Sequence, residues 1–491
     1  MERTLTRSAV WGTCLILVAG AGQVRAGSHS KDLDNKDPNS AVDIIVQFTA
    51  PPTSLHDQKV LNLGGTKKNK NLNIIKAGAY SLPPGQVKKL EKDSSVVYIS
   101  LDRSNQGALN KAASAVGANI AASYGYNGAG IGVAVLDSGI SAVPGLNDPV
   151  TGQSHVVYCA DFVQNTGVPC TGTDGVDQYG HGTHVAGIIG ANTSKIQGIA
   201  PQASLLNFRV LDQNGSGSDS NIIAAINSAI SLKSQYNIRV ISLSSGRQIQ
   251  ESYTLDPLCQ AVEAAWKAGI VVVVAAGNQG RNNSANTQGY GTIGAPGNDP
   301  YVLTVGAMKS DLGNGNGAFG GGGVATYSSK GPTQIDFIAK PDIVAPGNLV
   351  VSLNTTGPST LAQESPSSAN GAYLTLSGTS MATPIVSGAV ALLLQKTPSL
   401  TPDQVKATLM LTASKNFPTS TTAFDATVGQ SFTDYYDLFT IGAGYLNIPA
   451  ALNNTSLSTG AALSPACTSN QSTGAVSLNM PGNAVWGNSV V

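Results

Sequence analysis

The chain has 491 residues, an apolar fraction of 41%, only 11% charged residues, 56 glycines and a formal net charge of zero. Soluble domains average about 25% charged residues. The balance here excludes a role driven by a basic or acidic field, so neither nucleic acid nor an anionic membrane surface is an expected partner. The length calls for two folded units with tails rather than one domain.

Arg3 and Arg7 precede an apolar run over residues 9–22, and Val24-Arg25-Ala26 closes it. That order predicts a secretory signal over residues 1–26. The run is shorter than the ~20 residues of a membrane span, and no other stretch is apolar enough to cross. A secreted protein, extracellular or periplasmic, is the expectation. Export also makes disulfides feasible. Cys14 leaves with the signal, and Cys159, Cys170, Cys259 and Cys467 remain with three pairings open. Cys159 and Cys170 flank a turn and could close a small loop, which would leave Cys259 and Cys467 as a second pair.

After a polar stretch, residues 42–48 read as a strand, 54–62 as a helix, 72–82 as a hairpin, 84–92 as helical and 96–101 as a strand. Together they form a small α+β, ferredoxin-like unit over residues 41–105. Its lysines are dense (Lys67, Lys68, Lys70, Lys76, Lys88, Lys89, Lys92). The change in composition marks a boundary near residues 102–112. Beyond it, the runs 131–136, 204–210, 240–243, 270–275 and 301–305 are nearly continuous apolar strands, alternating with helical patterns at 221–232 and 258–268. Such alternation predicts an α/β domain over residues 110–450, its mainly parallel sheet covered on both faces by helices in three layers. Residues 451–491 are rich in Ser, Thr, Asn and Gly and read as a loosely ordered, low-complexity extension, tethered through Cys467 if at all.

Ligands of open parallel sheets sit beyond the carboxyl ends of the strands. Asp137 ends the first strand, Ser244 and Gly246 follow the third, and Asn278 follows the fourth in Ala-Ala-Gly-Asn278. Helices open at His181 in His181-Gly-Thr-His184-Val-Ala-Gly and at Ser380 in Gly378-Thr-Ser380-Met-Ala-Thr-Pro384. Acyl transfer uses these residue types. An imidazole takes the proton from a serine hydroxyl, a carboxylate orients the imidazole, and amide donors hold the negative charge that develops on the carbonyl oxygen. Singly, Asp137 or Ser380 would read as a helix cap and Asn278 as a turn former.

These three segments, in the order Asp, His, Ser, resemble the signatures of the subtilisin-like (subtilase, peptidase S8) serine proteases. The likeness runs over roughly residues 131–450, with Gly294-Ala-Pro-Gly-Asn, Tyr327-Ser-Ser-Lys-Gly-Pro332 and Lys340-Pro-Asp-Ile-Val-Ala-Pro-Gly347 in support. The resemblance implies a subtilisin-like fold and an endopeptidase with Asp137, His181 and Ser380 as its triad and Asn278 in the oxyanion hole. It implies substrate binding by Ser244, Ser245 and Gly246 on one wall, Ala276 and Gly277 on the other, and Gly294 at the floor. It also makes the lysine-rich unit an inhibitory propeptide, cut between residues 102 and 112, with protein or peptide substrates and a monomeric enzyme. Ser245 stands where leucine is common and Gln279 where glutamate is common, which weakens any inference about preference. No cofactor is required. Calcium is a family ligand, but residues 190–198 are short and carry no carboxylate, so its usual loop is absent; Asp299, or the loop with Asp174 and Asp177, remain as other candidates. The rival readings are a silent binding scaffold, against which stands the complete triad, an acid-based sedolisin, against which stands His181, and an esterase or ligase as a side activity.

Overall fold

A computed structural model describes residues 27–30, 33–68, 76–101, 108–164, 167–172, 174–284, 286–309, 323–425, 429–469 and 476–479. The expected signal and residues 102–107 of the expected cleavage region lie outside them. The chain divides into two compact units, residues 1–105 and 106–491.

The first unit contains β1 (Ser28–His29), β2 (Val42–Phe48), α1 (Ser54–Leu61), β3 (Thr66–Lys67), β4 (Ala77–Leu82), α2 (Val87–Leu90) and β5 (Val96–Leu101). Its sheet runs β1-β5-β2-β4-β3. Without the short β1, this is the order of a ferredoxin-like βαββαβ unit. Alternate residues of β2 point inward, so Ile44, Val46 and Phe48 meet Val60, Tyr80, Leu90 and Ile99 in one small core. Residues 72–75 of the expected hairpin lie outside the described residues; the rest of that stretch is the single strand β4, which pairs with β2 and with the two-residue β3 further upstream. The helical stretch expected at 84–92 is a 3-10 turn, Pro84–Gln86, running into α2.

The second unit opens with α3 (Ala108–Ala115) and α4 (Ala118–Ser123) and then builds β6 (Gly132–Asp137), β7 (Val156–Asp161), α5 (His181–Gly190), β8 (Ser204–Arg209), α6 (Asp219–Ser231), α7 (Lys233–Tyr236), β9 (Ile238–Leu243), α8 (Pro257–Lys267), β10 (Val271–Ala275), β11 (Leu303–Lys309) and β12 (Ile343–Asn348). Beyond these lie β13 (Val350–Leu353), α9 (Thr360–Glu364), β14 (Ala369–Asn370), β15 (Tyr373–Leu376), α10 (Thr379–Lys396), α11 (Pro402–Thr412), β16 (Ser420–Asp425), β17 (Gln430–Tyr435), α12 (Leu438–Ile441), α13 (Ile448–Asn453), β18 (Ala466–Ser469) and β19 (Val476–Asn479). Seven parallel strands form the main sheet in the order β12-β11-β10-β9-β6-β8-β7. α5 packs with α10 and α6 with α8, giving two helical layers around the sheet. Strands covered on both sides need no polar face, so the Val271–Val274 run is buried throughout. The strand order turns at β6, with β8 on one side and β9 on the other. The crevice at the carboxyl ends of β6 and β9 is therefore where a ligand site belongs.

Two strands of the main sheet escaped the sequence reading, and both lie at its edges. β7 is half exposed, and β12 carries Pro346 inside it, which an edge strand tolerates. The extension after Ala450 also needs correcting, because its described part is built into the unit. α13 buries Ala451 and Leu452, the Ala339 N–H donates to the Pro465 carbonyl at 2.8 Å, and the Cys467 N–H donates to the Phe337 carbonyl at 2.7 Å. The buried Ser464 hydroxyl donates to Asp342 at 2.5 Å and accepts from Lys406 at 2.9 Å. Asp342 also pairs with Lys340 at 2.7 Å and with Lys406 at 3.2 Å. The backbone and one serine hold this segment, without a disulfide. Cys159 and Cys170 are bonded, while Cys259 and Cys467 carry free thiols, so the second pair is not formed.

Candidate active site

Asp137 ends β6 and His181 begins α5. A side chain on Gly182 would lie 2.1 Å from the Gly139 carbonyl, so only glycine lets the helix approach the β6 loop this closely. The approach puts His181 Nδ1 2.8 Å from Asp137 Oδ1. Asp137 is buried and also accepts from the Ser138 N–H at 2.8 Å, while its Oδ2 has no partner among the described residues. Burial disfavours the imidazolium of His181, but the charge and hydrogen bond of Asp137, joined by Asp177, outweigh it and hold His181 above its ordinary value of 6.5.

Ser380 is the second residue of α10, so its N–H belongs to the first turn and has no partner within the helix. Pro384 lies four residues further on and has no N–H to offer the Ser380 carbonyl. The Ser244 hydroxyl, at the end of β9, supplies that bond at 3.1 Å, and the Ser380 hydroxyl donates back to the Ser244 carbonyl at 2.9 Å. The nucleophile candidate is thus parked on the β9 loop and must turn to reach His181. Across the crevice, Asn278 Oδ1 accepts from the Thr379 N–H at 2.9 Å and its hydroxyl at 3.1 Å. Those two donors fix which end of the amide is oxygen, and leave the Asn278 NH₂ group to donate beside the Ser380 N–H. Thr379 was not singled out from the sequence. Its signal was its place directly before Ser380.

A cleft of about 730 Å³ joins these groups, lined by His181, Ser380, Asn278, Ser244, Ser245, Gly246, Ala275, Gly277 and Gly294 among others. Ala276 does not line it. It is fully buried, its N–H and C=O committed to Val305 and Gly294, because alternation along the extended β10 strand turns its side chain inward. Arg247 lines the cleft and was also missed. Its guanidinium is shared between Asp219 at 2.7 Å and Asp256 at 2.8 Å, so its charge is spent inside the wall.

His184, read as a bystander on α5, is sealed with Nε2 between the carbonyls of Val350 and Leu374, and burial pushes it down to about 3. The loop after α5 does not fit calcium. Thr193 closes it on Ile196 by three hydrogen bonds, with no carboxylate. Asp177 is filled by backbone donors, and Asp299, pushed up to about 7 by burial, binds the Tyr301 N–H. Among the described residues no group of three or more His, Cys, Asp or Glu side chains is arranged around a metal.

Residues 128–432 match the subtilase family, peptidase S8. Serine protease AprX of Bacillus subtilis (strain 168) is 36% identical over 360 residues, 70% of this chain and 75% of that protein. Subtilisin E of the same organism is 35% identical over 411 residues, 82% of this chain and 88% of its own. The alkaline protease of Alkalihalobacillus alcalophilus is 36% identical over 337 residues, 68% and 72% of the two chains. A carboxylate, an imidazole, a helix-borne serine and a fixed amide meet at one crevice, and the family match spans all four: the chain belongs to the subtilase family of serine endopeptidases.

Proposed function

We propose that the protein is a secreted endopeptidase that hydrolyses internal peptide bonds through an acyl-enzyme on Ser380. The observation that carries this is the 2.8 Å bond from His181 to Asp137 in a cleft that also holds Ser380 and Asn278. His181 accepts the Ser380 proton as that hydroxyl attacks the substrate carbonyl, then gives it to the leaving amine. Asp137 holds the Nδ1–H tautomer and the charged imidazole, and the Asn278 amide and Ser380 N–H hold the oxyanion. Water then attacks the ester by the same path in reverse. Ser244, Ser245 and Gly246 bind substrate opposite Gly277 and Gly294, and these small walls suit large uncharged side chains. No cofactor takes part, and the enzyme acts as a monomer.

The lysine-rich unit, made as part of the precursor, acts as inhibitor and folding aid and is cut off by the enzyme between residues 102 and 112. Its ferredoxin-like strand order and its own separate core support that role. Wild type and Ser380→Ala, expressed side by side, test the whole reading through intact mass and casein hydrolysis. The wild type should shed its first ~105 residues and digest casein, and the variant should remain full length and inert. Equal processing of both without casein digestion would overturn it.

A further inference from the structure

A second carboxylate lies behind the first. Asp177 is 2% exposed, four residues before His181 in the turn that leads into α5. Its Oδ1 accepts from the Gly180 N–H at 2.7 Å and from the Ser138 hydroxyl at 2.8 Å, and its Oδ2 accepts from the Thr183 N–H at 2.7 Å. The Ser138 oxygen in turn accepts from the Gly182 N–H at 3.0 Å and lies 3.3 Å from Asp137 Oδ1. Every N–H that flanks His181 in this turn, at residues 180, 182 and 183, is therefore held by Asp177 or by the serine bonded to it. Ser138 has one hydroxyl proton, and it goes to Asp177. Asp137 accepts only the Ser138 N–H and the imidazole on Oδ1, which keeps its charge concentrated toward His181.

We propose that Asp177 is a positioning residue for catalysis: through Ser138 and the opening N–H groups of α5 it fixes the Asp137–His181 pair and favours the protonated imidazole. The charge and geometry act together. Burial holds Asp177 above its ordinary 3.8 against the donors from Thr183, Gly180 and Ser138; where it is ionised, it adds a second negative charge near His181. The other titratable groups facing His181 are Asp137 on β6, His184 on α5 and Tyr179, whose ring centre lies 6.3 Å away and which itself faces Glu364 on α9. Among these only Asp137 and Asp177 raise His181. The proposal rests on the triad reading above and deepens it.

Asp177→Asn preserves shape while removing the charge. With its NH₂ at the Oδ1 place it also takes the acceptor from the Ser138 hydroxyl, which is then free to turn to Asp137. Both changes weaken support for the imidazolium. The acidic limb of the kcat/KM–pH profile, which reports the free enzyme's base, should move down by about 1 pH unit, the lower end of what a nearby charge does. kcat at the plateau should fall while KM stays within about twofold of wild type. A role confined to capping α5 would lower thermal stability and leave the limb in place, and that result would overturn the proposal. Should Asp177→Asn not fold, Ser138→Ala decides, since it leaves Asp177 on both backbone donors and removes only the bridge. Its kcat should fall about three- to tenfold, the worth of one hydrogen bond, at unchanged KM; a wild-type kcat would sink the idea. Wild type and Ser380→Ala run in parallel separate this test from the parent reading, because failure of the triad would appear as activity independent of Ser380.

Discussion

The Asp137–His181–Asp177 cluster and the Lys340–Asp342–Lys406–Ser464 cluster both put charge inside the same unit, but they end differently. The first opens on the cleft, with 15% of the His181 side chain exposed and Asp137 Oδ2 without a partner among the described residues. The second is sealed, with Lys340, Asp342 and Lys406 at 0% exposure and the Asp342 carboxylate shared among two ammonium groups and a hydroxyl. Lys406 further donates to the carbonyls of Pro300 and Val302 at 2.8 and 3.0 Å. Desolvated charge is costly in both places. Where every lone pair is satisfied, the charge locks distant segments together. Where one is left open, it remains available to chemistry.

That contrast predicts a separation of rate from stability. The largest effect should come from Asp137→Asn, lowering kcat by about 10⁴-fold, as loss of a triad acid does, with little change in melting temperature; a large melting shift would erase the contrast. Asp342→Ala should do the reverse. It strands two buried lysines and should cost about 3–5 kcal/mol, read by denaturation in a Ser380→Ala background that cannot digest itself, while activity per folded molecule stays near wild type. The cost also has a pH signature. Burial holds Lys406 down to about 7, below its ordinary 10.5. The unfolded chain therefore binds more protons across that window, and the lysine's contribution to stability should rise as pH climbs from about 7 toward 10.5. Asn278→Ala sharpens the comparison with an uncharged group, and kcat should drop about 10²–10³-fold at nearly constant KM. The smallest effect is expected from Ser464→Ala, about 1.5–3 kcal/mol for hydrogen bonds to charged partners, with no change in the pH–rate profile.

How far the fold could be read in advance depended on whether a signal was local. The strands β6, β8, β9, β10 and β11 announce themselves because burial on both faces makes them largely apolar. β7 and β12 do not, since an edge strand can expose Val157 or carry Pro346. Asp137, His181, Asn278 and Ser380 each sit at a turn out of a strand or into a helix, so strand ends and helix starts placed them together. Asp177 resembled any turn aspartate, because its partners Ser138 and Thr183 become neighbours only once α5 docks against β6. Ser464 was hidden further. Nothing in a Ser- and Thr-rich tail distinguishes the one hydroxyl that reaches Asp342, 122 residues away. The unpaired Cys259 follows the same logic: it is walled in beside Asn298, where no second thiol reaches it.

The proline in α10 has a mechanical consequence. By withholding one N–H, Pro384 leaves the Ser380 carbonyl to the Ser244 hydroxyl, and the reacting serine is lashed by two bonds to a segment that lines the cleft. Any peptide strand that leans on that segment also tugs on the serine, and any loosening of the serine slackens the wall. Docking and bond-breaking then share a single hinge, so substitutions at Ser244 should change grip and turnover together.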